Sequence, residues 1–317
     1  MLKIGVLGAD NLAKVHVQLI LELKDLYQLI GFYDPNDELS NEFEVAFGVK
    51  RYLNYDELLD AIDCIDIISP VAQHYELSAI ALRKSRHIFI EKPITNTVDE
   101  AKSLLSLSRE ASVKVQVGST KRFNPAFIAS LPLYHRPSLI ESRHLIQYSA
   151  KSSSGFSVMN LLLNDIDIVL SVAKSGVKKI AATGVSIFGG KLDIVNVRIE
   201  FDNACVATLT AGRTVQENIN KVHIYQKGSC FNVNFLSNEL EVIRKRESED
   251  TFNALVSGKP LVEDLNPIQE ELISFHNAIV FDKDPIISLG EGCESLIVAS
   301  KILDILNYSN VVINDNN

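Results

Sequence analysis

The sequence predicts an α/β domain built on a parallel sheet, followed by an α+β domain with a mainly antiparallel open sheet. Three observations carry this expectation. Through the first 120 positions, short apolar runs alternate with amphipathic stretches, the pattern of parallel strands covered on both faces by helices. The first run ends in a glycine-bearing turn and the second ends on an acid. Beyond residue 120, strand-like segments follow one another with few helices between them, which favours antiparallel pairing.

Leu2, Ile4, Val6 and Leu7 make the first strand, Gly8-Ala9-Asp10-Asn11-Leu12-Ala13 the turn, and an amphipathic helix runs on to Asp25. Residues 29–33 form the next strand, closed by Asp34 before the turn Pro35-Asn36-Asp37. This is the outline of a Rossmann dinucleotide-binding unit, in which a helix N-terminus faces the pyrophosphate and the acid takes the adenosine ribose. Helices are expected over 55–61, 74–84 and 98–110, and strands over 64–68, 87–90 and 114–117. Ligands of open α/β sheets gather beyond the carboxyl ends of the strands. Gly8, Asp34, Pro70, Lys92 and Gly118 should therefore line one crevice.

The Rossmann domain is assigned to 1–120 and the α+β domain to 121–317. In the latter, a strand at 139–148 leads to a flexible loop, Lys151-Ser152-Ser153-Ser154-Gly155, and a helix at 158–173. β-rich segments follow near 180–188, 194–201, 205–210, 222–226 and 230–235, with hairpin-type turns at Asp202-Asn203 and Lys227-Gly228. Helices at 267–281 and 290–306 complete the pattern, and the polar residues from 309 onward are expected to fray.

With 317 residues, 46% of them hydrophobic, the chain can bury two sizeable cores. It has no run of 18 apolar residues and enters a strand at once, so a cytoplasmic, soluble protein is expected. A net charge of −9 without a clustered basic face argues against nucleic-acid and anionic-membrane partners and leaves a small-molecule substrate. Cys64, Cys205, Cys230 and Cys293 are scattered, which fits buried thiols in a reducing compartment and no metal site.

The turn departs from G-x-G-x-x-G/A, because Asp10 stands where the second glycine lets backbone approach the pyrophosphate. Two like charges about 4 Å apart cost roughly 1 kcal/mol in water and about 4 kcal/mol at an effective dielectric near 20. Cofactor binding is therefore expected to weaken if the carboxylate points inward. If it turns back, it caps the helix instead. Gly8, Asp10, Asn11, Leu12, Asp34, Ser69, Pro70, Glu91 and Lys92 are the candidate cofactor-binding residues. Asp34 has no arginine directly after it to take a 2′-phosphate, which favours NAD over NADP.

The turn with His16 six residues beyond Asp10, Glu91-Lys92-Pro93 at a strand end, Arg122-Phe123-Asn124-Pro125, and the helix bearing Asn164-Asp165-Ile166-Asp167 resemble the Gfo/Idh/MocA oxidoreductases, relatives of glucose-fructose oxidoreductase and inositol dehydrogenase. The resemblance runs nearly end to end. It implies an NAD(P)-dependent enzyme that moves a hydride from or to a sugar-like or small hydroxylated substrate, with Lys92 near substrate and nicotinamide. The family helix carries an Asp, a His four residues later and an Asp three further; here these are Asn160, Asn164 and Asp167. Spacing i, i+4, i+7 places all three on one helix face.

Asn160, Asn164, Asp167 and Lys92 are thus the candidate catalytic residues, with Arg122 as a substrate contact or as half of a buried ion pair. An amide cannot accept a hydroxyl proton, and a positioned base contributes about 10² to 10⁴ in rate. That role falls to Lys92 with a lowered pKa, or to Asp165 or Asp167. The changes at 10, 160 and 164 also fit an alternative, a catalytically impaired relative that serves as a nucleotide- or ligand-binding regulatory protein. His16 reads as a core or surface histidine, and His74 as helix-cap packing. An open antiparallel sheet has one face that needs cover, so a homodimer or higher oligomer through that sheet is expected.

Overall fold

This computed structural model describes residues 1–148, 157–188, 192–245, 255–260 and 262–314. Its first element is the strand β1 (Leu2–Leu7), whose last four residues are buried. Then come α1 (Asn11–Glu22), β2 (Tyr27–Tyr33), α2 (Asp37–Phe47), α3 (Tyr55–Ala61), β3 (Cys64–Ile67), α4 (Val71–Arg83), β4 (His87–Ile90), α5 (Val98–Ala111) and β5 (Val115–Val117). The strands form one parallel sheet in the order β2-β1-β3-β4-β5, so the chain reverses direction across the sheet between β1 and β3. Such a switch point opens a ligand crevice beyond the strand ends.

Two details differ from the expectation. Residues after Pro35 form α2 rather than a simple turn: Asn36 accepts the Leu39 N–H, and Asp37 and Glu38 lie in the positive first turn. Helix α4 starts at Val71, three residues early, because Pro70 takes the N-cap position and needs no N–H partner.

The second unit contains α6 (Pro125–Ser130), a 3₁₀ turn at Leu131–Leu133, β6 (Leu139–Gln147), α7 (Val158–Ala173), β7 (Val177–Val185), β8 (Ile194–Phe201), β9 (Val206–Val215), β10 (Ile219–Gln226), β11 (Ser229–Asn234), β12 (Glu239–Lys245) and β13 (Leu255–Gly258). These strands form a sheet in the order β13-β12-β11-β10-β6-β9-β8-β7. Among its described pairs, β6 with β9 is parallel and the rest are antiparallel. One face packs on α7: Leu162, Ile166 and Val169 meet Ala207, Leu209 and Ala211 in the core. Full burial of such a side chain contributes about 1.5–3 kcal/mol. The loop expected at 151–155 lies outside the described residues.

The chain ends in α8 (Pro267–Val280) and α9 (Leu289–Asn314). The compact units are Met1–Thr120 with Asn266–Leu296, and Lys121–Leu265 with Ile297–Asn317. The pattern of strands and helices assigns all of 121–317 to one domain; the structure returns Asn266–Leu296 to the first. The reason is apolar: Leu272 and Phe275 of α8 join the core formed by Ile4, Val6, Phe32 and Phe89. Further along, Val298, Ile302 and Leu306 of α9 join the second core. The backbone of α9 continues helical to Asn314, past the point at which fraying was expected.

Candidate functional site

Gly8 follows β1 with φ +122°, and a Cβ there would stand 3.0 Å from the Ile68 carbonyl oxygen. Only glycine fits this approach. Its N–H donates to the Tyr33 carbonyl at 2.9 Å, which fastens the turn to the end of β2. The residue just after β2, Asp34, accepts the Asn36 N–H at 2.8 Å in an Asx turn. Beyond β3, the Ser69 hydroxyl is buried with no hydrogen-bond partner among the described residues. The structure thus brings Gly8, Asp34, Ser69 and Pro70 to one end of the sheet. A cradle closed to any side chain, an orphan hydroxyl and a terminal carboxylate fit a dinucleotide.

Asp10 turns back. Its Oδ1 accepts the N–H groups of Leu12 at 2.9 Å and Ala13 at 3.0 Å, capping α1. These are the donors that a helix N-terminus offers an anion. Arg51 arrives from seventeen residues away: its Nη2 donates to the Asp34 carbonyl at 3.4 Å and to Asp37 Oδ1 at 2.6 Å. An arginine so distant in the chain leaves no local signal beside Asp34.

Lys92 follows β4 and precedes Pro93 through a cis peptide bond. His74, near the start of α4, sets Nε2 2.6 Å from the Ser69 carbonyl oxygen and Nδ1 2.9 Å from that of Pro93. Burial lowers its proton affinity, and the carbonyls oppose that only in part. His74 therefore does more than cap a helix, because it joins the segment after β3 to the segment that carries Lys92.

Behind Lys92 lies a cluster of ionisable groups. His16 is wholly buried, with Nδ1 2.9 Å from Asp66 Oδ2 and Nε2 3.5 Å from Glu91 Oε1. Burial alone would lower the imidazole, but Asp66 and, less strongly, Glu91 raise it to about 9. Burial pushes the Glu91 carboxyl up, opposed by His16 and Lys92. Glu271 of α8 is also fully buried and accepts the Ser119 N–H. Desolvation and the nearby Glu91 push its carboxyl well up. His16, Glu91 and Lys92 are legible in the sequence, His16 as a core or surface histidine, whereas the parts played by Asp66 and Glu271 are not. An acid inside the apolar run Cys64-Ile65-Asp66-Ile67 is the one signal of such a cluster, because a buried charge needs a partner.

In the second unit, Arg122 Nη1 is 3.4 Å from Asp167 Oδ1, and both side chains are largely buried. The ion pair is therefore formed. Lys121 Nζ lies 2.5 Å from Asp165 Oδ1, with His144 Nδ1 3.5 Å from Asp165 Oδ2. Burial would raise Asp165, but Lys121 and His144 hold it below the usual carboxylate range. Asn160 is exposed and Asn164 half-buried, and the Asn164 amide donates to the Asn160 carbonyl at 3.3 Å. The three positions expected on one face thus differ in use, since Asp167 is engaged by Arg122 while the two amides stay nearer solvent. Lys121 and His144 carried no sequence signal of their partner. Among the described residues no group of His, Cys, Asp and Glu is arranged to hold a metal ion.

A five-stranded parallel sheet whose first turn admits only glycine, followed by a large mixed sheet, is the architecture of a Rossmann dinucleotide-binding domain joined to an α+β domain. Residues 2–119 match the model of the oxidoreductase family with NAD-binding Rossmann fold, GFO_IDH_MocA. That match spans the residues that build the parallel sheet. It is 26% identical over 245 residues to UDP-N-acetylglucosamine 3-dehydrogenase of Acidithiobacillus ferrooxidans, a match covering 77% of each chain. A solved structure of an enzyme of that name and organism has the same fold, with a TM-score of 0.90 over 96% of this chain and 97% of the other at 23% identity. The scyllo-inositol dehydrogenase of Lactobacillus casei, solved with NAD(H) and scyllo-inositol, gives 0.81 over 98% of each chain at 18% identity.

Proposed function

We propose that the protein is an NAD-dependent dehydrogenase of a secondary hydroxyl on a sugar-like ring. The observation that carries this reading is the His74 bridge, which ties the Lys92-Pro93 segment to the strand end beside Gly8. Asp34 binds the adenosine ribose, Gly8 gives the diphosphate its approach, and Ser69, Pro70, Glu91, the Asn11 N–H and, once Asp10 yields it, the Leu12 N–H complete the cofactor contacts. Bound nicotinamide supplies the hydride acceptor. Lys92 Nζ takes the hydroxyl proton, Asn160 and Asn164 orient ring hydroxyls, Asp167 holds Arg122, and Arg122 contacts the substrate.

NAD is preferred over NADP because the Asp34 carboxylate repels a 2′-phosphate and the Arg51 guanidinium is taken by Asp37. The substrate class follows the named relatives, which act on a nucleotide sugar and a cyclitol. Turnover is tested by reduced-nicotinamide absorbance with UDP-N-acetylglucosamine, glucose 6-phosphate and scyllo-inositol. NAD reduction with one of them is expected; firm NAD binding without turnover on any would overturn the reading.

A non-catalytic, ligand-binding role is the second reading, favoured by Asp10 seated on the α1 N–H groups, and the same assay decides between them. We also assign a cytoplasmic location, consistent with four free cysteines, and a homodimer. The sheet face that carries Glu141, Arg143, Thr208, Lys221 and His223 bears both signs of charge. A two-fold axis can set each sign against the other. Sedimentation giving only monomer removes the dimer. Among the described residues no helix is long and apolar enough to cross a membrane.

A further inference from the structure

We propose that Asp37 sets the cofactor preference by masking Arg51, a guanidinium that the fold holds at the ribose end of the crevice and that takes a 2′-phosphate once Asp37 releases it. This rests on the reading above, in which Asp34 binds the adenosine ribose, and it names the pair that enforces the choice of NAD.

The backbone places Arg51. Residues 50–52 add a short parallel edge to β2: the Phe32 N–H donates to the Lys50 carbonyl at 3.0 Å, the Tyr52 N–H donates to the Phe32 carbonyl at 2.8 Å, and Phe32 and Arg51 form the bridge between them. Gly31 lets this edge close, because a Cβ there would stand 2.6 Å from the Lys50 carbonyl oxygen and meet the Tyr52 ring. Neighbours on extended backbone point to opposite faces. Lys50 and Tyr52 share one face, with the ammonium 4.1 Å from the ring centroid, and Arg51 takes the other. Its guanidinium comes within 3.4 Å of the carbonyl oxygen of Asp34, the second residue past Phe32.

Packing alone does not require a cation there. The Asp34 carbonyl already accepts the Ser40 hydroxyl at 3.1 Å, and the contact from Arg51 is long for a hydrogen bond. Arg51 Nε is buried and has no hydrogen-bond partner among the described residues. Nη2 makes its close contact with Asp37 Oδ1, at 2.6 Å. The Arg51 side chain is 13% exposed and that of Asp37 is 84% exposed. An ion pair with so exposed a partner contributes little stability. It does cancel the charge that a 2′-phosphate seeks, and it occupies a fork whose planar N–H groups suit phosphate oxygens. With Arg51 masked, such a phosphate meets the carboxylates of Asp34 and Asp37. A ribose that carries only hydroxyls is indifferent to the mask and bonds to Asp34. Asp37 is therefore a positioning residue that acts through Arg51.

The probes are 5′-AMP and 2′,5′-ADP, which differ only by the 2′-phosphate, titrated by calorimetry into the whole protein. Asp37→Asn is expected to tighten 2′,5′-ADP about tenfold and to leave 5′-AMP within about twofold. In the double variant Asp37→Asn, Arg51→Gln that gain disappears, because it comes from the uncovered cation. A gain of the same size with and without Arg51 means that Asp37 acts only by its own repulsion, and overturns the proposal; so does the absence of any gain in Asp37→Asn. Arg51→Met keeps the buried stem and drops the charge, and is expected to abolish the gain equally; it decides the question where Arg51→Gln does not fold. Neither probe carries a nicotinamide. Firm NAD binding without turnover therefore strikes the dehydrogenase reading alone, an equal response to both probes strikes the masking alone, and a protein that binds neither probe strikes both.

Discussion

The Asp10 carboxylate accepts the backbone N–H of Leu12 at 2.9 Å, so the start of α1 already holds a negative group of its own. A diphosphate that approaches this turn must share or displace it. Asp10→Gly removes the charge, and glycine at an N-cap costs only a few tenths of a kcal/mol. Relief of about 1.4 kcal/mol of repulsion raises NAD affinity about tenfold. Calorimetric titration of both proteins checks this; equal affinities would mean that the carboxylate does not compete.

Lys92→Met should separate chemistry from binding. The side chain that takes the proton is lost, while Gly8, Asp34 and Ser69 are untouched. Turnover is expected to fall by about 10² to 10⁴, with NAD affinity within a few-fold of wild type. An equal loss in both would place Lys92 among the cofactor contacts alone.

Much of the first unit was legible because its signals are local. The run from Leu2 to Leu7, the turn at Gly8 and the acid at Asp34 each report on residues close by in the chain. The helix 158–173 was placed at its observed limits, because an apolar face repeating at helical spacing packs on the sheet. Strands β12 and β13 were not anticipated. The site itself was legible only in part. Lys92 sits in a recognisable motif, but Ser119 finds Glu271 152 residues away, and Lys121 finds Asp165 44 residues away. Such pairs are set by packing, and no periodicity announces them.

The His16–Asp66 pair should give stability a defined pH dependence. The folded imidazole is raised from the ordinary 6.5 to about 9. Its contribution is therefore fully present below about pH 6.5 and is lost as pH rises through about 9. The shift corresponds to at most about 3 kcal/mol. Urea unfolding between about pH 6 and about pH 10 should show this loss in the wild type. In His16→Gln the loss disappears, and stability at the acid end drops because Asp66 is left buried without its partner.

The acids of α7 predict the opposite sign. Asp165 is held low by Lys121 and His144, so its contribution is present above about pH 4 and is lost as pH falls below that. Asp165→Asn leaves Lys121 buried without its counter-charge and should cost about 3–5 kcal/mol. Asn164→Ala, one position earlier and half-buried, should cost within about 0.5 kcal/mol in the same unfolding experiment.

Asn164 offers the sharpest test of how this chain does without an imidazole on α7. Its amide donates to the Asn160 carbonyl, one turn back, so the position is compatible with a side chain that lies along the helix. Asn164→His places there a group that titrates near neutrality. If the missing proton acceptor limits the wild type, turnover rises by up to about 10²-fold and the pH–rate profile gains a new limb near pH 6.5. If Lys92 carries the proton alone, turnover stays level or falls and the profile keeps its shape, because the added imidazole then only displaces a hydroxyl-orienting amide. Steady-state rates from about pH 5.5 to about pH 9 on both proteins distinguish the two outcomes.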